Sequence, residues 1–132
     1  MFPSKAAITR FMGGAKTMVI VVNTQIGAAT FDCLKEVRHP LRLLIRKTRQ
    51  APEERFKAFL HNFRSMDYAS EVRRHPKLHD HYVFFNGRLW LTNSSLSSAG
   101  NKTLNIIECV DSKVVIARQV ERWWREAEVF FH

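Results

Sequence analysis

Apolar and polar residues follow one another along this chain in patterns that predict alternating helices and strands. The run 17–23 (TMVIVVN) is β-branched and apolar throughout, which is typical of a central strand buried on both faces. After residues 51–54 (APEE), which suit the first turn of a helix, large apolar residues recur at the i, i+3, i+4, i+7 spacing of an amphipathic helix. These residues are Phe56, Phe59, Leu60 and Phe63.

Weaker patterns complete the predicted order of elements. Ser4 suits the N-cap of a first helix that ends at Gly13-Gly14, and Pro40 ends a second helix over 28–37. Further predicted strands cover 41–47, 67–72 and 104–110, a basic link covers 73–77, and a closing helix begins near Ser112 with Ile116, Val120, Trp123, Trp124 and Ala127 on its buried face. This order predicts one α/β domain over 1–132, with a mixed central sheet flanked by helices.

A predicted β-hairpin carries the most distinctive polar residues. Asn86-Gly87 separates two short apolar runs, and Asn-Gly is a strong hairpin signal because both turn positions require a positive φ. His79 and His81 are expected to share a face of the first strand, since side chains alternate with a period of two. A turn rich in hydroxyl and amide groups, 93–97, follows the second strand. The hairpin therefore predicts two adjacent imidazoles near a polar turn.

The net charge of +9 favours a polyanionic partner, which would be nucleic acid, an anionic lipid surface or a phosphate ester. The alternative is that the basic charge only sets solubility. Arg42 and Arg46 are expected to share a strand face, and six further cations flank the predicted strand ends: Arg38, Lys47, Arg49, Arg73, Arg74 and Lys77. Together they either follow a phosphate backbone or form a solvated rim. Trp123, Trp124 and Phe130 are expected in the core or a dimer contact rather than stacked on bases.

The cysteines and apolar runs favour a cytoplasmic protein. Cys33 and Cys109 are too few and too far apart for a disulfide framework, which fits reduced thiols. The run 18–22 has the length of a strand and follows Gly13-Gly14, unlike a secretory signal. No run approaches the roughly 20 apolar residues of a membrane span, so we expect no membrane partner.

The spacing His75-x3-His79-x-His81 admits two kinds of chemistry and an incidental reading. A metal site would use imidazole ligands, but no well-placed Cys or Glu completes four ligands and Asp80 is expected on the opposite strand face. We therefore expect neither a metal nor another cofactor. A phosphoryl-transfer site would use one imidazole as nucleophile and another to hold phosphate or protonate the leaving group. Two histidines on one strand are also often without chemical role.

From His79 to Leu96 the sequence resembles the phospholipase D superfamily motif, which is His, any residue, Lys, four residues, Asp, six residues, then Gly-Ser-any-Asn. His79 and Ser94 fall on the His and Ser positions in an ungapped frame. The other positions carry His81 for Lys, Asn86 for Asp, Asn93 for Gly and Leu96 for Asn. An early Ala-Lys-x-x-Val-Ile strand and a Trp-rich last helix are also similar to the short single-motif members, which include non-specific bacterial endonucleases.

The resemblance implies a metal-independent phosphodiesterase acting on nucleic acid, DNA foremost, as a homodimer that pairs two copies of the motif. One His79 would attack phosphorus to form a phosphohistidine, and its symmetry mate would protonate the leaving oxygen. His81 and Ser94 complete the predicted catalytic set, with His81 replacing the motif lysine only when protonated. The predicted phosphate or nucleic-acid contacts are Asn93, Ser95, Arg74, Lys77 and Lys102.

The departures from the motif leave other interpretations open. Asn86 is expected to serve the turn as well as the motif Asp would, and either Asn105 or Glu108 corresponds to the downstream Glu of the family. One alternative is a catalytically silent phospholipase D-like module that dimerises and binds DNA or a partner protein. Lipid hydrolysis or membrane-surface binding is a weaker third alternative, because the sequence shows no acyl-chain groove or amphipathic anchor.

Overall fold

The computed structural model describes residues 4–46, 54–65, 69–100 and 104–131, and these residues form a seven-stranded mixed sheet with helices on both faces. In chain order the elements are α1 (Lys5–Gly13), β1 (Val19–Asn23), α2 (Ala28–Leu34), β2 (Leu41–Arg46), α3 (Glu54–Ser65), β3 (Ser70–His75), β4 (Tyr82–Phe85), β5 (Arg88–Thr92), a 3₁₀ turn (Leu96–Ser98), β6 (Ile106–Cys109), α4 (Lys113–Glu126) and β7 (Glu128–Phe131). The strand order is β6-β5-β4-β1-β2-β3-β7. The predicted α/β class with a mixed, helix-flanked sheet is confirmed.

Three parallel strands form the centre of the sheet. β1 pairs with β2, and β2 with β3, in parallel, while α2 and α3 supply the crossovers that such pairs require. β4, β5 and β6 add antiparallel strands beside β1, and β7 adds one beside β3. The carboxyl ends of β1, β2, β3 and β5 therefore meet the start of β4 at one edge, which we call the carboxyl edge. The β4–β5 turn lies at the opposite edge.

Alternation along the strands divides the core into two layers. Residues such as Val19, Val21 and Leu43 point to one face, where they pack with residues of α1, α2 and α3. Residues such as Val22 and Leu44 point to the other face, where they pack with α4. We call these layers the three-helix face and the α4 face.

The helices begin and end close to their predicted positions. The Ser4 hydroxyl accepts a hydrogen bond from the Ala7 N–H at 3.1 Å and caps α1. α2 ends at Leu34, earlier than predicted, and the buried Val37 belongs to the segment leading to β2. Ser112 precedes α4 as predicted. The predicted helix opening at 51–53, and the side chains of Phe56, Leu60 and Phe63, lie outside the described residues, whereas Phe59 packs against the core.

The prediction of a basic link over 73–77 was wrong for its first three residues. β3 extends to His75, because two arginines that appear unsuited to a strand find partners on both faces. The Arg73 guanidinium lies 4.4 Å from the Trp124 ring centre on the α4 face, and the Arg74 guanidinium lies 4.3 Å from the Phe130 ring centre. Phe130 belongs to β7, a four-residue strand that the sequence pattern did not predict.

The predicted hairpin is confirmed. Asn86 and Gly87 have φ values of 54° and 71°, as a two-residue turn between β4 and β5 requires. The Asn86 side chain also accepts a hydrogen bond from the Lys16 N–H at 2.7 Å and donates one to the Gly14 carbonyl at 3.3 Å. An aspartate carboxylate could accept the first of these bonds but could not donate the second, so the donated bond requires the asparagine amide.

In the described part of the chain, no helix combines the length and the apolar character needed to cross a membrane.

Candidate functional site

The carboxyl edge gathers the polar residues that end the central strands. Asn23, Arg46 and His75 are the last residues of β1, β2 and β3. His79 and His81 were predicted on the following strand, and this was wrong, since β4 begins at Tyr82. The reason is that β1, the neighbour of β4, ends its pairing at Val22 opposite Tyr82.

A backbone hydrogen bond joins the histidine segment to the polar turn. The Thr92 N–H, at the end of β5, donates to the His81 carbonyl at 3.1 Å. The predicted meeting of a histidine segment with the polar turn after β5 thus occurs at the carboxyl edge. The two imidazoles nevertheless have different surroundings, because His79 is exposed and His81 is half-buried.

The Arg46 guanidinium contacts one ring nitrogen of His79. Arg46 Nη2 lies 3.0 Å from His79 Nδ1, and Arg46 Nε donates to the Leu78 carbonyl at 2.8 Å. A guanidinium is always protonated and only donates, so Nδ1 must be the acceptor. In the neutral imidazole the proton then resides on Nε2. The pair consequently presents a fixed cation and an N–H donor.

His81 is poorly suited to replace the motif lysine as a cation. Burial lowers its pKa, and the neighbouring Arg46 charge lowers it further, against the opposing effect of Asp80. Its Nδ1 is enclosed and has no hydrogen-bond partner among the described residues. The lowered pKa favours the neutral imidazole, whereas the nearby Arg46 guanidinium is always charged.

His75 is buried and anchors the end of α4. Its Nδ1 accepts the Lys77 N–H at 3.1 Å, which leaves the ring proton on Nε2 to bond Glu126 Oε2 at 3.1 Å. This bond is the main cause that lowers the pKa of the Glu126 carboxyl. In the described segments, no group of three or more His, Cys, Asp or Glu side chains is placed to hold a metal ion.

Hydrogen bonds within the turn engage the polar residues that follow β5. Ser94 Oγ lies 3.0 Å from Ser98 Oγ, and the Ser95 hydroxyl pairs with that of Ser97. Ser95 is almost fully buried, which leaves its hydroxyl little access to a ligand. Ser94 is half-buried. The predicted catalytic role of Ser94 and the predicted phosphate contact of Ser95 therefore remain predictions, and Ser94 is the more accessible of the two.

Two asparagines hold this turn in place. Asn23 Oδ1 accepts the Leu96 N–H at 2.7 Å in a buried bond, and Asn93 Oδ1 accepts the Asn105 N–H at 2.8 Å in an exposed one. Leu96, at the position of the motif Asn, is fully buried. An apolar side chain thus fills the core where the motif would offer an amide to phosphate.

The other predicted contacts have differing surroundings. Arg74 pairs with Glu128 at 2.6 Å and packs on Phe130, so it joins β3 to β7. Lys77 is exposed near the carboxyl edge, and Lys102 lies outside the described residues. Of the two candidates for the downstream Glu, Asn105 lies beside Asn93, whereas Glu108 lies in mid-strand 3.8 Å from Arg88.

Sequence reasoning missed two residues that shape the site. The sequence pattern indicates Arg46 only as one of many cations on or near the strands, and Asn23 only as the end of an apolar run. Both are polar residues at the end of a strand that is buried on both faces. When such strands are parallel, their last residues meet at the carboxyl edge, so this pattern could have indicated both residues. Recognising that β1 and β2 are parallel neighbours would have placed both residues in the site.

No protein-family model matches this chain, and no curated protein matches it significantly. Solved structures, in contrast, match this chain. NucT from Helicobacter pylori, a member of the phospholipase D superfamily, matches with a TM-score of 0.66 and 8% identity over 96% of this chain and 89% of its own. TrmBL2, an archaeal chromatin protein with a novel mode of DNA binding, matches with a TM-score of 0.58 and 14% identity over 91% of this chain.

The chain spans about half of TrmBL2, 48% of its length. At these identities the comparisons establish likeness of fold. The chain is similar to a phospholipase D-like fold, as the motif spacing implied.

Proposed function

We propose that this chain is a phospholipase D-like module that binds the phosphates of nucleic acid at its carboxyl edge through Arg46 and His79. The observation that carries the proposal is the hydrogen bond from Arg46 to His79 Nδ1. It orients two donor groups, the guanidinium and the Nε2–H of the exposed His79, at the carboxyl edge. Phosphate oxygens accept from donors of both kinds, and arginine matches their geometry well.

Charge and fold support nucleic acid as the source of the phosphate. The net charge of +9 attracts a polyanion. Two of its structural neighbours are a nuclease and a DNA-binding chromatin protein, which supports nucleic acid as the partner. A homodimer, which the resemblance implies, would place two Arg46–His79 pairs about a two-fold axis and lengthen the basic surface.

Phosphodiester cleavage through a histidine nucleophile is the second candidate function. It is favoured by His79, which is exposed and stands at motif spacing from Ser94. Attack on phosphorus requires a ring nitrogen with a free lone pair. With Nδ1 engaged by Arg46 and the proton on Nε2, neither nitrogen of neutral His79 offers one. Cleavage would therefore require Arg46 to release Nδ1, and binding requires no such change.

A binding titration tests the proposal. Fluorescence anisotropy with a labelled 20-base-pair duplex is measured for the natural chain, Arg46→Gln and the matched control Arg42→Gln. Arg42 lies four residues earlier on the same face of β2 but pairs with Glu121 at 3.3 Å. We expect Arg46→Gln to weaken binding roughly tenfold and to reduce the salt slope by about one, because one charged phosphate contact is lost. Equal losses in both variants would contradict the proposed site.

A cleavage assay separates the two candidate functions. The chain is incubated with plasmid and a 5′-labelled single strand in EDTA from pH 5 to 8, and the protein is then examined for covalently bound label. We expect salt-sensitive binding without product and without label on the protein. Label attached to His79, absent from His79→Ala and accompanied by cleavage, would establish the phosphodiesterase instead.

A further inference from the structure

A groove of about 760 Å³ lies far from the carboxyl edge, between α4 and the edge that carries the β4–β5 turn. Its floor is apolar and is formed by Met18, Phe84, Val114 and Ala117. Met18 immediately precedes β1, which places the groove at the opposite end of that strand from Asn23. Neither Arg46 nor His79 of the proposed phosphate site lines the groove, so the groove is a separate surface feature.

Water has access to much of the apolar floor. Val114 is 58% exposed and Met18 is 39% exposed, although both are large apolar side chains. Phe84, at the base, is partly buried by α4 but still lines the groove. Contiguous apolar surface of this kind, surrounded by polar residues, is typical of a binding site on a soluble domain.

The rim of the groove carries an excess of positive charge. Its cations are Arg88, Lys113, Arg118, Arg122 and Arg125, and its acid is Glu121. Glu121 already pairs with Arg42 at 3.3 Å on its other side. Arg118 and Arg125 are exposed and have no acidic partner among the described residues. Arg88 and Arg122 pair with Glu108 at 3.8 Å and with Glu126 at 3.2 Å, so the rim charge available to an anionic ligand is that of Arg118 and Arg125.

We propose that this groove docks an acidic amphipathic helix of a partner protein. The rim residues Lys113 to Arg125 span roughly 18 Å of α4 at 1.5 Å per residue, which fits a ligand helix of about 12 residues. Its apolar side chains, at i, i+3, i+4 and i+7, would cover Met18, Phe84 and Val114. Its carboxylates would pair with Arg118 and Arg125 along the rim.

The same observations argue against two other occupants. A second copy of this chain would bring a net charge of +9 against the basic rim. A nucleic acid would satisfy the rim with its phosphates but would leave the exposed Val114 and Met18 without apolar partners. An acidic helix with an apolar stripe matches both the charge and the floor.

Binding of designed peptides to the natural chain tests the proposal. The probe is a fluorescein-labelled 15-residue helix of Glu, Leu and Ala with Leu at i, i+3, i+4 and i+7. The controls are the same composition scrambled, and the same pattern with Lys in place of Glu. We expect micromolar binding of the probe and at least tenfold weaker binding of both controls. Equal binding of the scrambled peptide, or no binding of the probe, overturns the proposal.

Matched variants locate the binding on the surface. Arg118→Glu with Arg125→Glu is expected to weaken probe binding at least tenfold. The same charge change at Arg10 and Lys35, which are exposed on the three-helix side, is expected to weaken it less than threefold. Val114→Asp is expected to weaken binding at least fivefold, and Val115→Asp less than twofold, because only Val114 lines the groove. Equal effects within either pair overturn the proposal.

Two further measurements test the rejected occupants. In the first, a 20-base-pair duplex competes with the probe. If the duplex displaces the probe, and no longer binds when Arg118→Glu and Arg125→Glu are combined, the groove is a nucleic-acid site. In the second, sedimentation equilibrium measures the oligomeric state. If the natural chain is a dimer and Val114→Asp dissociates it, the groove is an interface between copies. Either result overturns the proposal, whereas a duplex that leaves the probe bound supports it.

Discussion

The two faces of the sheet differ in how completely helices cover them. On the three-helix face, α1, α2 and α3 bury residues such as Met12 and Leu34 completely. On the α4 face, the cluster around Val22 and Leu44 is buried by one helix, while Ile107 on β6 remains 63% exposed. The three-helix face therefore supplies most of the buried apolar contact, whereas the α4 face leaves more apolar surface exposed.

The candidate site follows from this difference. Arg46 and His75 are on the same face of the sheet as Leu44, which is the α4 face, and α4 covers His75 through Glu126 and the Trp123 ring. Beside His75 the edge is open, because Arg46 contacts the exposed His79 there. Open surface on the α4 face accommodates both the proposed phosphate site and the basic groove, at opposite ends.

The largest expected effect compares truncation of one apolar side chain on each face. Leu34→Ala removes a fully buried side chain from the three-helix face, and we expect it to lower the free energy of unfolding by about 2–5 kcal/mol. Ile107→Ala on the α4 face should change it by less than about 0.5 kcal/mol, because Ile107 is mostly in water. Urea unfolding of both variants measures the difference. Similar costs would show that the α4 face is covered in solution, for instance by a second copy.

An intermediate effect is expected from the buried asparagine that supports the polar turn. Asn23→Ala leaves the buried Leu96 N–H without its acceptor, which should cost about 1–3 kcal/mol in the free energy of unfolding. Asn93→Ala removes a hydrogen bond of the same type at an exposed position, where water can replace the acceptor, and should cost less than about 1 kcal/mol. Urea unfolding compares the two. A larger cost for Asn93→Ala would show that the exposed bond holds the turn.

The smallest effect concerns the pH dependence of stability at His81. Because its pKa is lowered in the folded chain, the unfolded chain binds the proton more tightly. This contribution to stability is complete above the unfolded pKa near 6.5 and declines as the pH falls below it. We expect the decline in unfolding free energy from pH 7.5 to 5 to be smaller in His81→Leu than in the natural chain.

His61→Gln provides the control for this measurement, since His61 is a histidine exposed on α3. Urea unfolding at a series of pH values measures the decline. An unchanged pH dependence in His81→Leu would show that burial of His81 does not affect its titration.

Local patterns predicted most elements because each depends on neighbouring residues. Ser4 caps α1 through a bond to a residue three positions away, and Asn86-Gly87 sets its turn by its own backbone preference. β3 and β7 were misjudged for the opposite reason. Arg73 and Arg74 fit a strand only because Trp124, Phe130 and Glu128, more than fifty residues away, receive their side chains.

The candidate site could be predicted in its location but not in its chemistry. Motif spacing indicated His79 and the polar turn, and both lie at the carboxyl edge. The state of each histidine depends on atoms that the spacing does not specify. Arg46 determines which nitrogen of His79 carries the proton, and burial lowers the pKa of His81.

Periodicity, turn preference and composition are local or summed properties, so the α/β alternation, the Asn-Gly hairpin and the basic charge could be predicted from the chain alone. Which polar residues share an edge, and which face stays open, depends on how distant segments pack. Strand order brings Arg46 to His79 across more than thirty residues, and the packing of α4 leaves the basic groove beside Val114. Both results depend on contacts between distant segments, which no local pattern contains.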